Sequence, residues 1–165
     1  MSVGTIAPSQ EMEGSTWPFG STEAIAVKEP KRTLLESEEV RSAEALVVDG
    51  DSRYRDHVLV PGLVSMGFKR IHVADTAASA ERQLRKHPGT AVVVTNSVLR
   101  RGEDGLAVCR IARNASVPTV LLTSFDVPGE QVGALVDRLI HKKDTSVLET
   151  VEEVWHIASS NGRSI

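Results

Sequence analysis

From Ala43 onward, short unbroken apolar runs alternate with stretches whose apolar residues recur at helical spacing. Ala45-Leu46-Val47-Val48 is such a run, as expected of a parallel strand covered on both faces. Val58, Leu59, Leu63 and Met66 then form a helical stripe that Gly67 closes. Arg70 to Ala74 reads as a second strand. Thr76 is placed to cap a helix over Ala77 to Lys86, with Ala80 and Leu84 turned toward the sheet and His87-Pro88-Gly89 ending it. Ala91 to Thr95 is the third strand, and Gly105 opens a helix carrying Leu106, Val108, Cys109 and Ile111. Val117-Pro118 leads into a fourth strand over Thr119 to Thr123. A short helix near Glu130 to Val136 precedes a fifth strand, Arg138 to His141. The last helix, from about Thr145 to Ser159, aligns Val147, Leu148, Val151, Trp155 and Ala158, and Ser146 stands at capping-box spacing before Glu149. Five strands alternating with five helices predict a doubly wound α/β sheet with right-handed crossovers.

Residues 1–42 break from this pattern. They hold Pro8, Pro18 and Pro30 among many Ser, Thr, Glu and Gly residues. Such a segment buries too little surface to offset its ordering entropy, so a flexible extension is expected there. It does carry Trp17-Pro18-Phe19, two aromatics placed to anchor in a partner groove or to pack on their own domain. The expected organisation is an extension over 1–42, a domain over 43–159 and a short tail over 160–165, with no second folded domain to follow.

Composition narrows the function. The chain of 165 residues is 41% hydrophobic and 25% charged, with a formal net charge of -3. That balance gives no electrostatic reason to expect nucleic acid or an anionic membrane as partner. The single cysteine, Cys109, excludes an internal disulfide and suits a reducing cytoplasm. Neither a bilayer-spanning run nor a secretory signal pattern is found, so a cytoplasmic protein is expected.

In an open α/β sheet, ligands bind at the carboxyl ends of the strands. Here those ends are Asp49-Gly50-Asp51, Asn96-Ser97, Thr123-Ser124 and His141-Lys142-Lys143. Acidic, amide, hydroxyl and ammonium groups therefore meet on one edge.

At this edge the chain resembles the bacterial receiver domain, the phosphorylation module of two-component response regulators. Val47-Val48-Asp49-Gly50-Asp51 is similar to the receiver strand that ends in paired acidic metal ligands. Asp104 to Arg110 is similar to the start of the third receiver helix, Val117 to Thr123 to the fourth strand with its hydroxyl, and Lys142 falls on the lysine. The resemblance runs from about Ala43 to Ala158 and implies a flavodoxin-like, five-stranded parallel sheet of order 2-1-3-4-5 flanked by helices. In a working receiver the acids and an acceptor aspartate hold Mg²⁺, the acceptor attacks phosphorus, and the lysine and hydroxyl respond.

The chain keeps Asp49, Thr123 and Lys142 but departs elsewhere. Asn96 stands where the acceptor belongs, and a neutral amide is a poor nucleophile and a poor Mg²⁺ ligand. Gly50 occupies the place of the second acid, which Asp51 would fill if Gly50 were an insertion. Asp49 to Gly67 is a residue longer than usual, and Pro61-Gly62 is the other place for that insertion. Thr123 to Lys142 is a few residues shorter, so the fourth helix should be truncated, and the aromatic partner of the hydroxyl is Leu139. Arg100 replaces a proline.

Other chemistry is weaker. His57, His72, His87, His141 and His156 show no metal-ligand spacing with one another or with Cys109, so no metal site is expected. No phosphate-cradling glycine loop or nucleophile elbow is present, and Cys109 sits among apolar residues as core.

The expectation is a pseudo-receiver: not an enzyme, without cofactor, signalling or scaffolding through protein contacts independently of phosphorylation. A permanent Asn96–Lys142 hydrogen bond would fix one conformation. The docking face would be the fourth helix, fifth strand and last helix, with Leu139 and Trp155, assisted by Trp17 and Phe19; a homodimer is compatible with it. Two alternatives remain: an atypical phospho-switch that still binds Mg²⁺ through Asp51, and a structural subunit of a larger assembly.

Overall fold

The computed structural model describes residues 44–160; Trp17, Phe19 and the expected terminal segments lie outside them. Within them the strands are β1 (Glu44–Val48), β2 (Arg70–Ala74), β3 (Thr90–Asn96), β4 (Thr119–Thr123) and β5 (Arg138–His141). All pair in parallel in the order β2-β1-β3-β4-β5. The fold is thus the expected flavodoxin-like receiver sheet, with its strand order reversing at β1.

Side chains alternate across a strand, so each central strand feeds two cores. Ala45, Val47, Val92, Val94, Val120 and Leu122 face Leu59, Leu63, Val151 and Val154 on one side of the sheet. Leu46, Val48 and Val93 face Ala80, Leu84, Val108 and Ala112 on the other. Burying each of these Val or Leu side chains contributes roughly 1.5–3 kcal/mol relative to exposure.

The helices follow their local signals. Helix α2 (Ala77–Lys86) is capped by Thr76, whose hydroxyl accepts from the Ser79 N–H while the Ser79 hydroxyl accepts from the Thr76 N–H. Helix α3 (Gly105–Asn114) starts at Asp104, which accepts from the Leu106 N–H. Helix α4 (Gly129–Leu135) has only seven residues, the truncation expected from the short β4–β5 stretch. Helix α5 spans Val147–Ser160, and the Ser146 hydroxyl accepts from the Glu149 N–H.

Helix α1 is less regular: a turn over Ser52–Tyr54, a π-helical stretch over Arg55–Leu59, then α-helix over Val60–Met66. The Val60 N–H reaches back five residues to the Arg55 carbonyl, and Pro61 next to it has no N–H to give. A π-bulge absorbs one extra residue without breaking the helix, so the surplus between Asp49 and Gly67 is housed there. Among the described residues no helix is long and apolar enough to cross a membrane.

Candidate functional site at the carboxyl edge of the sheet

The ends of β1, β3, β4 and β5 bring Asp49, Asn96, Thr123 and Lys142 together. Asp49 is 1% exposed. Its Oδ1 accepts from the Asp51 N–H at 2.9 Å and from Asn96 Nδ2 at 3.2 Å. Its Oδ2 is buried without a hydrogen bond, and Lys142 Nζ stands 3.8 Å from it. Burial pushes the Asp49 carboxyl above its ordinary value, against the opposing pull of the Asp51 N–H, the Lys142 ammonium and the Asn96 amide.

The Asn96 side chain is fully engaged. Nδ2 donates to Asp49 Oδ1 and, at 3.1 Å, to the Val98 carbonyl, while Oδ1 accepts from the Ser97 N–H at 3.0 Å. A carboxylate and a carbonyl only accept and an N–H only donates, so these partners permit one amide orientation. Its oxygen points away from Asp49. The expected Asn96–Lys142 hydrogen bond is not formed: Lys142 pairs with Asp49 and lies over the Tyr54 ring, 4.1 Å from its centroid. The unpaired carboxylate oxygen attracts the ammonium more strongly than a neutral amide can.

Thr123 is fully buried and its hydroxyl is occupied as well. It accepts from the Phe125 N–H at 2.9 Å, donates to the Phe125 carbonyl and accepts from the Ser97 hydroxyl at 2.8 Å. The Ser97–Thr123 pair follows from register, because Asn96 is opposite Leu122 and the next residues on each strand must meet.

Asp51 does not join this group. It is exposed and caps α1, its Oδ1 accepting from the Arg53 and Tyr54 N–H groups. Nor is there room for an acid at position 50: a Cβ on Gly50 would lie 2.6 Å from the Arg100 backbone nitrogen. The β3–α3 loop is held over that spot. Arg100 pairs with Asp75, and Glu103 accepts from the Ala77 N–H at 2.8 Å, fastening the loop to the β2–α2 turn.

The Mg²⁺ that such a fold implies is therefore poorly served. Octahedral Mg²⁺ wants several oxygens. Here Asp49 offers one free oxygen already facing an ammonium, the Asn96 oxygen is turned away, and Asp51 is committed to a helix cap. The residues present do not fit the ion.

Leu139 and Trp155, expected to share a docking face, are separated. Leu139 lines a groove of about 610 Å³ between β5 and α5, together with Arg138, His141, Glu149, Glu152 and His156. Trp155 instead packs edge-on against Phe68 on the α1 side, with ring centroids 5.7 Å apart. The helical period explains this, since Glu152 and His156 take the groove-facing turns and leave Trp155 to the neighbouring stripe.

Sequence spacing missed several neighbours. Tyr54 under Lys142, Arg55 Nη1 donating to the Asp49 carbonyl at 3.1 Å and the exposed Phe125 at the mouth of the site all come from loop and helix geometry. The larger surprise lies at the opposite edge, where His72 and His87, without any telling spacing, stack beside Glu44. Cys109 is core as expected, and burial pushes its thiol up to about 12.

Neither a protein-family model nor a curated protein matches this chain. Solved receiver structures do. The signal receiver domain of NarL from Mycobacterium tuberculosis aligns with a TM-score of 0.61 at 23% identity, over 74% of this chain and 98% of that one. The Francisella response regulator 1452 receiver domain gives a TM-score of 0.61 at 20% identity, over 73% and 99%. A CheX–CheY–beryllofluoride–Mg²⁺ complex from Borrelia burgdorferi gives 0.61 at 15% identity, over 70% and 88%. At these identities the likeness establishes the receiver fold.

Proposed function

We propose that this chain is a receiver-like protein that signals or scaffolds by binding another protein and does not run a phosphorylation cycle. The observation that carries this reading is the state of Asn96. The residue at the acceptor position is an amide with both its N–H groups and its oxygen committed, so it offers no nucleophile. The occupied Thr123 hydroxyl and the Asp49–Lys142 pair support the same reading, because the groups that would respond to a phosphoryl group already satisfy one another. The response-regulator neighbours support a place in two-component signalling.

The groove between β5 and α5 is the surface we assign to the partner. Glu149, Glu152 and Arg138 give it a charged rim, with Leu139 and His141 also among its lining residues. An atypical switch that binds Mg²⁺ through Asp51 is disfavoured by the work Asp51 already does as a helix cap.

The test uses the full-length chain as bait in a cell extract, with and without acetyl phosphate and Mg²⁺. The same partner should be captured in both conditions, and the intact mass should show no phosphoryl group on the wild type. Asn96→Asp is the variant in which a phosphoryl group would appear. A partner captured by the wild type only when the phosphodonor is present would contradict the proposal.

A further inference from the structure

At the amino edge of the sheet, remote in the fold from Asp49, three metal-ligating side chains converge. Glu44 opens β1, His72 lies in the edge strand β2, and His87 caps the end of α2. Residues 44, 46 and 48 share one face of β1, and the register sets Glu44 opposite Arg70 and Leu46 opposite His72, so Glu44 and His72 share that face. His72 Nε2 is 3.0 Å from Glu44 Oε1, and His87 Nδ1 is 3.9 Å from the same oxygen. One ligand atom from each residue lies within 4.8 Å of the other two. All three side chains are mostly buried, between 16% and 26% exposed, yet open to solvent on one side.

We propose that Glu44, His72 and His87 form a binding site for a borderline divalent metal ion, Zn²⁺ in the first instance, that staples β2 and the end of α2 to β1. Two imidazoles and one carboxylate are the donor set that Zn²⁺ takes when a fourth position is left to water or to an outside ligand, and they suit Mg²⁺ or Ca²⁺ poorly. The backbone at His87 is already held: its N–H donates to the Gln83 carbonyl, and its carbonyl accepts from both the N–H and the hydroxyl of Thr90.

Two features set what binding must do. The His72 and His87 rings are stacked, with centroids 3.5 Å apart and planes within 10°. A metal ion lies near the plane of each imidazole that binds it, so parallel rings cannot share one, and the stack must open as the ion enters. Rotation about the terminal torsion of histidine is soft and permits this. The ligand atoms then draw in to the about 3.3 Å separations of a tetrahedral site. Arg70 pairs with the other Glu44 oxygen, Oε2, at 3.3 Å and is 63% exposed, so it leaves Oε1 to the metal.

The test is a Zn²⁺ titration of the untagged, chelator-stripped full chain, followed by calorimetry and by the imidazole resonances of His72 and His87. One Zn²⁺ per chain should bind, with the mutual ring-current shifts of the two histidines lost on binding. His72→Gln and His87→Gln should each weaken binding by roughly tenfold or more, with folding checked by circular dichroism, while His156→Gln leaves it unchanged. No saturable binding, binding that survives both substitutions, or binding that leaves the ring stack intact would overturn the proposal.

Discussion

The buried carboxylate of Asp49 sets the character of the pocket at the scale of single residues. A charge removed from water needs partners, and this one has an N–H, an amide and an ammonium that together fall short of full compensation. Its raised value fixes a sign. Below the ordinary carboxylate range the group is protonated whether or not the chain is folded. As pH rises past about 4, the unfolded chain releases the proton first, so stability falls until the raised folded value is passed. Glu44 and Asp75, whose values are lowered by His72 and Arg100 respectively, act with the opposite sign and over a lower range. Subtracting the stability of Asp49→Asn isolates the Asp49 part, because the asparagine keeps the Oδ1 acceptor and never ionises. Urea unfolding from pH 3.5 to 7 should show the wild-type-minus-variant difference declining with pH, by about 1.4 kcal/mol for each pH unit that separates the unfolded and folded titrations of this carboxyl. A difference flat in pH would show an ordinary carboxyl.

At the scale of elements, the start of α3 is built against the end of β3. A Cβ on Gly105 would lie 1.9 Å from the Asn96 carbonyl oxygen, which no side-chain rotation can relieve. Gly105→Ala should therefore destabilise the domain by about 3 kcal/mol or more, and urea unfolding would detect it. A loss below about 1 kcal/mol would mean that α3 shifts freely on the sheet. The elements themselves were largely legible in the sequence. The bounds of β2, α2, β4 and β5 agree with their apolar runs and caps, because each signal is local: a continuous run, a Thr cap, a His-Pro-Gly stop. The π-helical stretch of α1 was not legible as such. Its existence showed only as a residue too many, and its place was decided by Pro61 and by the packing of the helix on the sheet. Side-chain pairings were harder still. Lys142 choosing Asp49 over Asn96, Asp51 spent on a cap, and Trp155 turned to Phe68 each depend on distances across three or four elements that no spacing encodes.

Across the whole molecule, one sheet carries two chemically distinct edges. Its carboxyl edge gathers Asp49, Asn96, Thr123 and Lys142, leaves no room for a side chain at position 50, and has the Thr123 hydroxyl and Lys142 already paired. Beside β5 the same fold carries a groove lined by Arg138, Glu149, Glu152 and Glu153, the surface proposed above for a partner. The claim that the pocket is closed to metal and phosphoryl chemistry is tested most directly by an amide NMR titration of the full-length chain with Mg²⁺, then beryllofluoride. No change is expected at millimolar Mg²⁺, and none on adding beryllofluoride. Saturable shifts centred on Asp49, Asp51, Asn96, Thr123 and Lys142 would contradict that claim and show a live pocket.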